Sequence, residues 1–498
     1  MNVNPITRLD YPDPDVIRVE DTYYMVSTTM HFMPGCEILQ SFDLVHWEHV
    51  TYVYETLDHT DAQQLKSGQN IYGQGMWAAS LRYHEGRFYI CFVANDTRKT
   101  YLYTSEKIDG PWKKQLIEGF YHDGSLLFDE DGRNYIVYGN DEIWITELNE
   151  DLTAPKKDGL HRLLVSDHKN PELGYEGSHI QKINGYYYIF LVHSLRDRWM
   201  RTEACFYSDS LEGEFTGGDV LCDDRGYCGQ GVAQGGIVDT PDGKWYAMLF
   251  QDSGAVGRIP ILLPVTWKDH FPVFGQSGHV PEEIEVHSTR PGYIYQPLVG
   301  SDDFCNGLLP RWQFNHDPDP RYYHLDALQG TYTITTREVC TELTQAVNTL
   351  TQRMSYPSCA AEVTVDASAL KEGDVAGLCA LQGCYAAVGI TKHHGKYEVL
   401  MLDKKEDGIL DMTEGTVVES HQMDFRLEAD FCNMKDEARC YYRVNKGDWL
   451  PIGTVHKLYF KLDHFTGCRF GLFCYAAEET GGSACFRDFK YYDVDEIS

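Results

Sequence analysis

Five stretches of the chain share one pattern of hydrophobic and polar residues. They are "IRVEDTYYMVSTT", "LRYHEGRFYICFVA", "LLFDEDGRNYIVYGN", "IQKINGYYYIFLVH" and "IVDTPDGKWYAMLFQ". Each stretch combines an apolar strand, a tight polar turn that usually contains glycine, and a second strand rich in aromatic and β-branched residues. This is the sequence form of a β-hairpin. Equivalent tyrosines mark the second strands: Tyr24, Tyr89, Tyr135, Tyr188 and Tyr246.

The spacing of these hairpins predicts the architecture of the N-terminal domain. The tyrosines recur roughly every 46 to 65 residues, which is close to the length of a four-stranded propeller blade. No long helical pattern lies between the hairpins. The repeats therefore predict a five-bladed β-propeller over residues 1–298.

A different pattern begins after the Pro/Gly-punctuated passage "HVPEEIEVHSTRPGYIYQPLVG". Residues 299–498 alternate apolar and polar positions over many short runs, such as "AEVTVDA", "KLYFKL" and "RFGLFCYA", which Gly, Asp and Asn turns separate. This pattern predicts a β-sandwich. The expected fold class is therefore all-β, with a five-bladed propeller followed by a β-sandwich.

Length and charge agree with two domains and narrow the function. A chain of 498 residues exceeds what one hydrophobic core usually organises. Its 75 acidic and 43 basic residues give a net charge of -32, which repels phosphate backbones and anionic membranes. We therefore expect neither nucleic acid nor a membrane as a partner, whereas a homo-oligomer is compatible with the sequence.

The N-terminal residues and the cysteines predict a cytoplasmic protein. The sequence "MNVNPITRLDYPDP" lacks the basic and apolar regions of a signal peptide, and no apolar run is long enough to cross a bilayer. The fifteen cysteines are an odd number and are scattered singly through apolar runs. This pattern is typical of reduced core residues rather than of a disulfide framework or a paired metal site.

The repeat register brings five residues to equivalent positions at the start of each blade. Because the first strand of a blade lies nearest the propeller axis, these residues should converge on one funnel. Three of the five are carboxylic acids. A very acidic chain also places acids in solvated turns by chance, but their coincidence with the repeat register favours a functional site. The five residues are Asp13, Trp77, Asp123, Glu176 and Gln234.

Converging carboxylates suit the hydrolysis of a neutral substrate, for which sugars are the natural candidate. One acid donates a proton to the leaving group while another activates water. Repulsion and burial would keep one carboxyl protonated while another stays ionised. A calcium cage is the alternative for the same three acids. The run Asp129 to Gly132 also resembles a calcium loop, but it falls in a hairpin turn and lacks a terminal bidentate glutamate, so it is predicted to be only a turn.

Longer motifs extend this interpretation to a known family. The stretches "YPDPDVIRVEDTYYMVSTTMHFMPG", "GMWAASLRYHEGRFYICF", "HDGSLLFDEDGRNYIVYGN", "YEGSHIQKINGYYYIF" and "GRIPILLPVTWKDHFPVFG" closely resemble family 43 glycoside hydrolases of the β-xylosidase and α-L-arabinofuranosidase group. The resemblance implies that Asp13 is the general base, that Glu176 is the general acid, and that Asp123 orients this acid and raises its pKa. It also implies inversion, for which a carboxyl separation of about 6.5 to 9.5 Å would be the structural sign. Asp15 would then cap the turn.

The resemblance also implies residues that contact the substrate. Arg258, in "GAVGRIP", would reach the substrate hydroxyls, and Trp77 and Phe32 would form aromatic walls of the glycone pocket. For Phe32, packing inside its loop beside Pro34 is the alternative. One departure from the family pattern follows Trp77, where the residues are Ala-Ala and the family more often has Ala-Pro.

The second departure concerns a metal ion. Gln234 stands where many family members carry a histidine that helps to hold a cation or its waters under the sugar. A glutamine offers one uncharged oxygen and so makes a weaker site. We therefore expect no required cofactor, with calcium near the propeller axis as the alternative and Gln234 as a substrate-binding residue.

The C-terminal domain resembles the jelly-roll domain of family 43 β-xylosidases, and the similarity includes "WQFNHDPD". The resemblance implies that a loop of this domain covers the funnel, whereas an independent sugar-binding face is the alternative. The expected function is an exo-acting, inverting hydrolase that removes terminal xylose or arabinofuranose from short oligosaccharides. The alternatives are an endo-acting arabinanase of the same fold and a non-catalytic carbohydrate-binding propeller.

Overall fold

Five four-stranded antiparallel sheets form the N-terminal domain in the computed structural model, which describes residues 2–461, 464 and 466–493. The strands of this region are β1 (Asn2–Val3), β2 (Asp15–Val19), β3 (Thr22–Val26), β4 (Phe32–Met33), β5 (Gly35–Ser41), β6 (Glu48–Tyr54), β7 (Met76–His84), β8 (Arg87–Ala94), β9 (Lys99–Ser105), β10 (Lys113–Ile117), β11 (Ser125–Phe128), β12 (Asn134–Asn140), β13 (Glu142–Leu148), β14 (His161–Ser166), β15 (Glu176–Ile183), β16 (Tyr186–Ser194), β17 (Arg201–Ser208), β18 (Thr216–Leu221), β19 (Ala233–Asp239), β20 (Trp245–Asp252), β21 (Arg258–Lys268), β22 (Phe271–Phe274) and β23 (Glu283–Ile284).

These sheets form a five-bladed propeller, which confirms the predicted fold. The blades have the strand orders β2-β3-β5-β6, β7-β8-β9-β10, β11-β12-β13-β14, β15-β16-β17-β18 and β19-β20-β21-β22. Their first strands pack against one another in a closed ring, since β2 contacts both β7 and β19. Each hairpin tyrosine lies on the second strand of its blade, where Tyr24 pairs with Ile17 and Tyr246 pairs with Val238. The predicted hairpins are therefore the inner halves of the blades.

Two packed antiparallel sheets form the C-terminal sandwich, which also confirms the prediction. One sheet has the order β32-β31-β30-β29-β37-β27-β24-β4, with β33 pairing with β31, and the other has the order β25-β26-β38-β28-β34-β35-β36. The strands are β24 (Gln313–Asn315), β25 (Tyr323–Asp326), β26 (Thr331–Thr335), β27 (Leu350–Arg353), β28 (Ser358–Asp366), β29 (Asp374–Leu381), β30 (Ala386–His393), β31 (Lys396–Lys404), β32 (Leu410–Met412), β33 (Thr416–Val418), β34 (Gln422–Asp430), β35 (Glu437–Val444), β36 (Leu450–Lys457), β37 (Arg469–Ala476) and β38 (Ser483–Asp493).

Helix is scarce in the described residues. It consists of short 3₁₀ turns, and none of the described helices is long and apolar enough to cross a membrane. The 3₁₀ turns are Lys66–Gly68, Gly254–Val256, Leu343–Gln345 and Cys432–Met434.

The two domains share a sheet and buried polar contacts. Strand β4, which lies inside the first blade's sequence, leaves that blade and pairs with β24 of the sandwich. Asp10 is buried, and its carboxylate accepts hydrogen bonds from the N–H groups of Arg258 in the propeller (2.8 Å) and Gly467 in the sandwich (2.9 Å). The sandwich is therefore joined to the propeller at the mouth of the funnel.

Candidate active site

Three of the five equivalent residues have a left-handed backbone just before or within an innermost strand. The φ angles are 52° at Asp13, 48° at Asp123 and 64° at Gln234. Such a conformation costs a non-glycine residue about 1 to 3 kcal/mol and is commonest at functional sites. Gly177, at 66°, directly follows Glu176. These turns bring Asp13 and Asp123 into one small cavity at the top of the inner strands.

Asp13 is held in a buried ion pair. Its Oδ1 lies 2.8 Å from Nη1 of Arg258, and its Oδ2 accepts a hydrogen bond from the hydroxyl of Thr28. Arg258 is itself buried and lies 3.3 Å, through Nε, from Oδ1 of Asp252. Burial alone would lower the pKa of Arg258, but the charges of Asp13 and Asp252 raise it. Arg258 therefore keeps a permanent positive charge against Asp13.

Asp123 and Glu176 meet around a histidine that the sequence analysis did not single out. Nε2 of His122 lies 3.5 Å from Oδ2 of Asp123 and 3.5 Å from Oε2 of Glu176. Asp123 also accepts the N–H of Gly177 at 2.9 Å, and Glu176 accepts the amide of Asn140 at 2.8 Å. The Glu176 side chain is 18% exposed and that of Asp123 is 6% exposed. Of the two carboxyls, Glu176 is thus the more accessible to a ligand.

Burial and the charges that His122, Asp123 and Glu176 exert on one another determine how these three side chains are protonated. Burial raises the pKa of Asp123 to about 6. Burial would lower the pKa of His122, but Asp123 and Glu176 raise it to about 9. Burial would likewise raise the pKa of Glu176, but the hydrogen bond and charge of His122 lower it. This direction is opposite to the predicted rise in the pKa of Glu176, because the prediction did not include the His122 cation.

Trp77 and Gln234 lie beside the carboxyl groups. The Trp77 ring, at the start of β7, is centred 6.2 Å from the ring of His122. Gln234 is buried, its N–H donates to Oε2 of Glu203 at 2.7 Å, and its side chain packs directly over Gly177. Trp77 therefore lies near the histidine that contacts Glu176, and Gln234 lies against the residue that follows Glu176.

Phe32 is a packed residue, as its alternative interpretation allowed, and Asp15 has partners other than those predicted. Phe32 is 1% exposed, and the guanidinium of Arg469 lies 3.5 Å from its ring centre, so it packs in the domain interface rather than on an open wall of the funnel. The reason is that β4 pairs with the sandwich. Asp15 does not cap its own turn. Its carboxylate accepts the N–H of Leu81 (2.7 Å) and pairs with Arg82 (2.8 Å), so it joins the first blade to the second.

The run Asp129 to Gly132 is a hairpin turn, as predicted. It connects β11 to β12, and the N–H of Gly132 donates to the carbonyl of Asp129 at 3.0 Å. The Asp129 carboxylate pairs with Lys182 at 2.6 Å and accepts the hydroxyl of Tyr187. Its charge is therefore satisfied by neighbouring side chains.

A larger cavity of about 480 Å³ adjoins the Arg258 ion pairs and lies between the two domains. Its volume is in the range of small-ligand sites. Asp252, which lines it, pairs with both Arg258 and Arg201. The Phe460 ring, from the sandwich, is centred 5.7 Å from the guanidinium of Arg258. The lining residues from the propeller are Trp199, Arg201, Gln230, Asp252 and Gly254, and those from the sandwich are Met434, Asp436, Leu458, Tyr459, Phe460 and Lys461.

The residues around Gln234 do not fit a calcium ion. The Gln234 side chain packs on Gly177 and offers one uncharged oxygen, and burial raises the pKa of neighbouring Glu203, which disfavours its charged form. His122, Asp123 and Glu176 have donor atoms within 4.8 Å of one another. However, the two carboxylates raise the pKa of His122 to about 9, so a metal would have to displace a proton to bind its nitrogen. This group suits acid–base chemistry.

Family comparison identifies the chain. Residues 3–272 match the family model described as glycosyl hydrolases family 43. The chain belongs to glycosyl hydrolase family 43. Residues 301–492 match the model of the beta xylosidase C-terminal concanavalin A-like domain, so the family 43 enzyme carries the accessory domain that its sandwich pattern indicated.

Related proteins support the assignment over the whole chain. A solved structure of a bifunctional GH43-CE protein from Bacteroides eggerthii is 42% identical with a TM-score of 0.93, and it covers 100% of this chain, which spans 64% of that protein's length. A β-xylosidase from Formosa agariphila is 26% identical over 99% of this chain and 89% of its own. A non-reducing end α-L-arabinofuranosidase from Bacteroides ovatus is 26% identical over 66% of this chain and 63% of its own.

The sequence analysis did not single out several residues of the site. Asn140 and His122 contact Glu176, and Arg201 and Asp252 extend the ion pairs of Arg258 into the larger cavity. His122 directly precedes Asp123 in the quoted motif "HDGSLLFDEDG", so its position beside an equivalent acid was the available clue. Arg201 and Asp252 lie on the third and second strands of their blades, outside the repeat positions that were compared.

Proposed function

We propose that the protein is an exo-acting, inverting glycosidase that removes terminal xylose or arabinofuranose from short oligosaccharides. The observation that carries this proposal is the division of the carboxyl groups into two environments. Asp13 is paired with Arg258, whereas Asp123 and Glu176 share the His122 group. A buried arginine faces Asp13, whereas in the other environment the pKa of Asp123 is raised to about 6 and that of His122 to about 9, so this second group can hold and exchange a proton. Relatives named as β-xylosidase and as α-L-arabinofuranosidase support both pentoses.

The proposed reaction assigns one proton transfer to each environment. Asp13, whose carboxylate pairs with Arg258, takes a proton from the attacking water. Glu176 gives a proton to the oxygen of the leaving sugar, and its greater exposure lets it reach that oxygen. A bound sugar covers Glu176 and removes water from it, which raises its pKa and favours the protonated form. Asp123 remains buried behind Glu176 and orients it through the Gly177 backbone.

The position of the sandwich favours exo action. Tyr459 and Phe460 of the sandwich line the cavity beside Arg258, so the described part of the sandwich narrows the approach to the carboxyl groups on this side. An endo-acting arabinanase needs such a groove for a long chain. A non-catalytic sugar-binding propeller has no need of an ion-paired acid opposite two carboxyl groups that share a histidine. Both alternatives are therefore less well supported by the site.

We expect the protein to hydrolyse 4-nitrophenyl β-D-xylopyranoside, 4-nitrophenyl α-L-arabinofuranoside or both. Proton NMR of the first product should show the inverted anomer, for example α-xylose from the β-xyloside, before mutarotation. Xylobiose and arabino-oligosaccharides should lose single terminal residues. Release of the retained anomer, or of internal fragments from a polymer, would contradict the proposal.

We also expect catalysis to be independent of a divalent cation. The oxygens near Gln234 are its own uncharged amide oxygen and the carboxyl of Glu203, whose charged form burial disfavours, whereas calcium prefers several charged oxygens. Exhaustive dialysis against EDTA should therefore change the hydrolysis rate of the 4-nitrophenyl glycoside less than about twofold, with metal content followed by mass spectrometry. A large loss that calcium restores would show that the site does bind a metal.

A further inference from the structure

A neutral amide and a cationic imidazole both contact one oxygen of Glu176. The amide of Asn140 donates to Oε2 at 2.8 Å, and Nε2 of His122 lies 3.5 Å from the same atom. Asn140 is placed there because the next residue, Asp141, bridges to Tyr175, which precedes Glu176. With both donors at Oε2, the other oxygen, Oε1, is the one that can carry the proton for the leaving group.

His122 contacts the two acids through a single nitrogen. Its Nε2 lies at equal distances, 3.5 Å, from Glu176 and from Asp123. A cation at this position stabilises the ionised form of either carboxyl, so it controls how readily each one loses its proton. The other charged groups around this cluster are Asp13, Arg201 and Arg258.

We propose that His122 is a positioning residue for the general acid: it holds Glu176 by Oε2 and sets the pH above which Glu176 loses the proton that hydrolysis needs. The inference rests on the proposed function, because it assigns Glu176 as the acid. The raised pKa of His122, about 9, agrees with a cation that persists through the neutral range. Arg201 and Arg258 add positive charge but are paired with Asp252 and Asp13. The charge of His122 is therefore the one shared directly with Glu176.

The test is the pH dependence of kcat/KM for xylobiose in His122→Gln. Glutamine keeps an N–H donor and removes the positive charge. Without that charge the carboxyl of Glu176 is harder to ionise, so its pKa rises and the protonated acid persists to higher pH. The upper limb of the profile should move upward by about one pH unit or more, the shift expected for loss of an opposite charge within 4 to 6 Å.

His193→Gln is the matched control. His193 also lies between two aspartates, since Nε2 is 2.8 Å from Asp219 and Nδ1 is 3.3 Å from Asp167, but it is outside the carboxyl cluster. Its replacement should leave the upper limb in place. His122→Asn, with a shorter neutral amide, is measured in parallel so that a folding defect in one variant, detected by circular dichroism, does not remove the test.

The outcomes separate this inference from the proposed function. Wild-type protein that hydrolyses neither pentoside would contradict the proposed function. If the wild type is active but the folded His122 variants keep the upper limb of the pH profile unchanged, or move it downward, only the proposed role of His122 is contradicted. A purely structural effect would lower the rate at every pH equally and would also overturn the inference.

Discussion

Replacing Glu176 by alanine is expected to reduce hydrolysis of xylobiose by about 10²- to 10⁴-fold, the usual contribution of a general acid. The loss should be far smaller on an aryl glycoside whose leaving group has a pKa near 7, because such a group departs without protonation. Asp13→Ala should lose most activity on both substrates, since water needs a base whatever the leaving group is. Steady-state kinetics on the two substrates measures this difference directly.

Glu172→Ala provides the control for this comparison. Glu172 is an exposed carboxylate four residues before Glu176, and its replacement should leave both rates close to wild type. The assignment would be wrong if Asp13→Ala kept its aryl-glycoside activity while Glu176→Ala lost it. That pattern would reverse the two roles, although Asp13 is the acid that faces a buried arginine.

The propeller could be predicted because each blade carries its own short sequence pattern and this pattern is repeated along the chain. Each hairpin carries alternating residues, a turn and an aromatic second strand within about fifteen residues, and the five copies reinforce one another. The same register brought Asp13, Asp123 and Glu176 to equivalent positions, and the structure places their side chains around one funnel. A repeated element therefore fixes both the fold and the position of an axial site.

The sequence contained no comparable pattern that could predict contacts between distant segments. Strand β4 is two residues long, and its partner β24 lies in the other domain, so nothing near Phe32 indicated that its ring would be buried against Arg469. Asp15 looked like a turn residue because its neighbours are prolines, whereas its actual partners, Leu81 and Arg82, belong to the next blade. Sequence patterning describes a residue's own strand and not the charge that another strand brings to it.

His122 shows the same limit for electrostatics. The direction of the pKa shift of Glu176 depends on a cation 3.5 Å away that lies on a different blade. The family resemblance implied that Asp123 raises the pKa of Glu176, whereas in the structure His122 lowers it and the raised pKa belongs to Asp123. Predicting such a shift requires the positions of all the neighbouring charges, which only the folded chain supplies.

The domain interface contains a buried ion pair that should contribute strongly to stability. Nη1 of Arg353, in the sandwich, lies 2.9 Å from Oε2 of Glu37 in the first blade, and the side chains are 4% and 3% exposed. Nε of Arg353 also donates to the carbonyl of Asp10 at 2.9 Å, and its guanidinium lies 4.1 Å from the ring centre of Tyr11. Arg353 thus connects three residues of the propeller to the sandwich.

Arg353→Ala is expected to lower the free energy of unfolding by about 3 to 5 kcal/mol at pH 7, because it leaves the Glu37 charge buried with only His49 as a partner. Urea denaturation followed by fluorescence measures the change. Arg321→Ala is the control: Arg321 is 76% exposed and pairs with Asp319 at 2.8 Å, so solvent screens the pair and its loss should cost far less than that of Arg353. Equal losses for the two variants would contradict the role of the buried pair.

The stability lost in Arg353→Ala should change with pH in one direction. Burial would raise the pKa of Glu37, but Arg353 and His49 lower it below the usual value of 4.5. In the wild type the pair therefore contributes stability above pH 4.5, and this contribution is lost as the pH falls through the lowered pKa. In Arg353→Ala, the effect of burial on the pKa of Glu37 dominates, so Glu37 takes up a proton at a higher pH. Protonation removes the cost of keeping an unpaired charge buried. The difference between wild type and variant should therefore narrow as the pH falls from 7 toward 4.5, and a constant difference would show that Arg353 acts through packing alone.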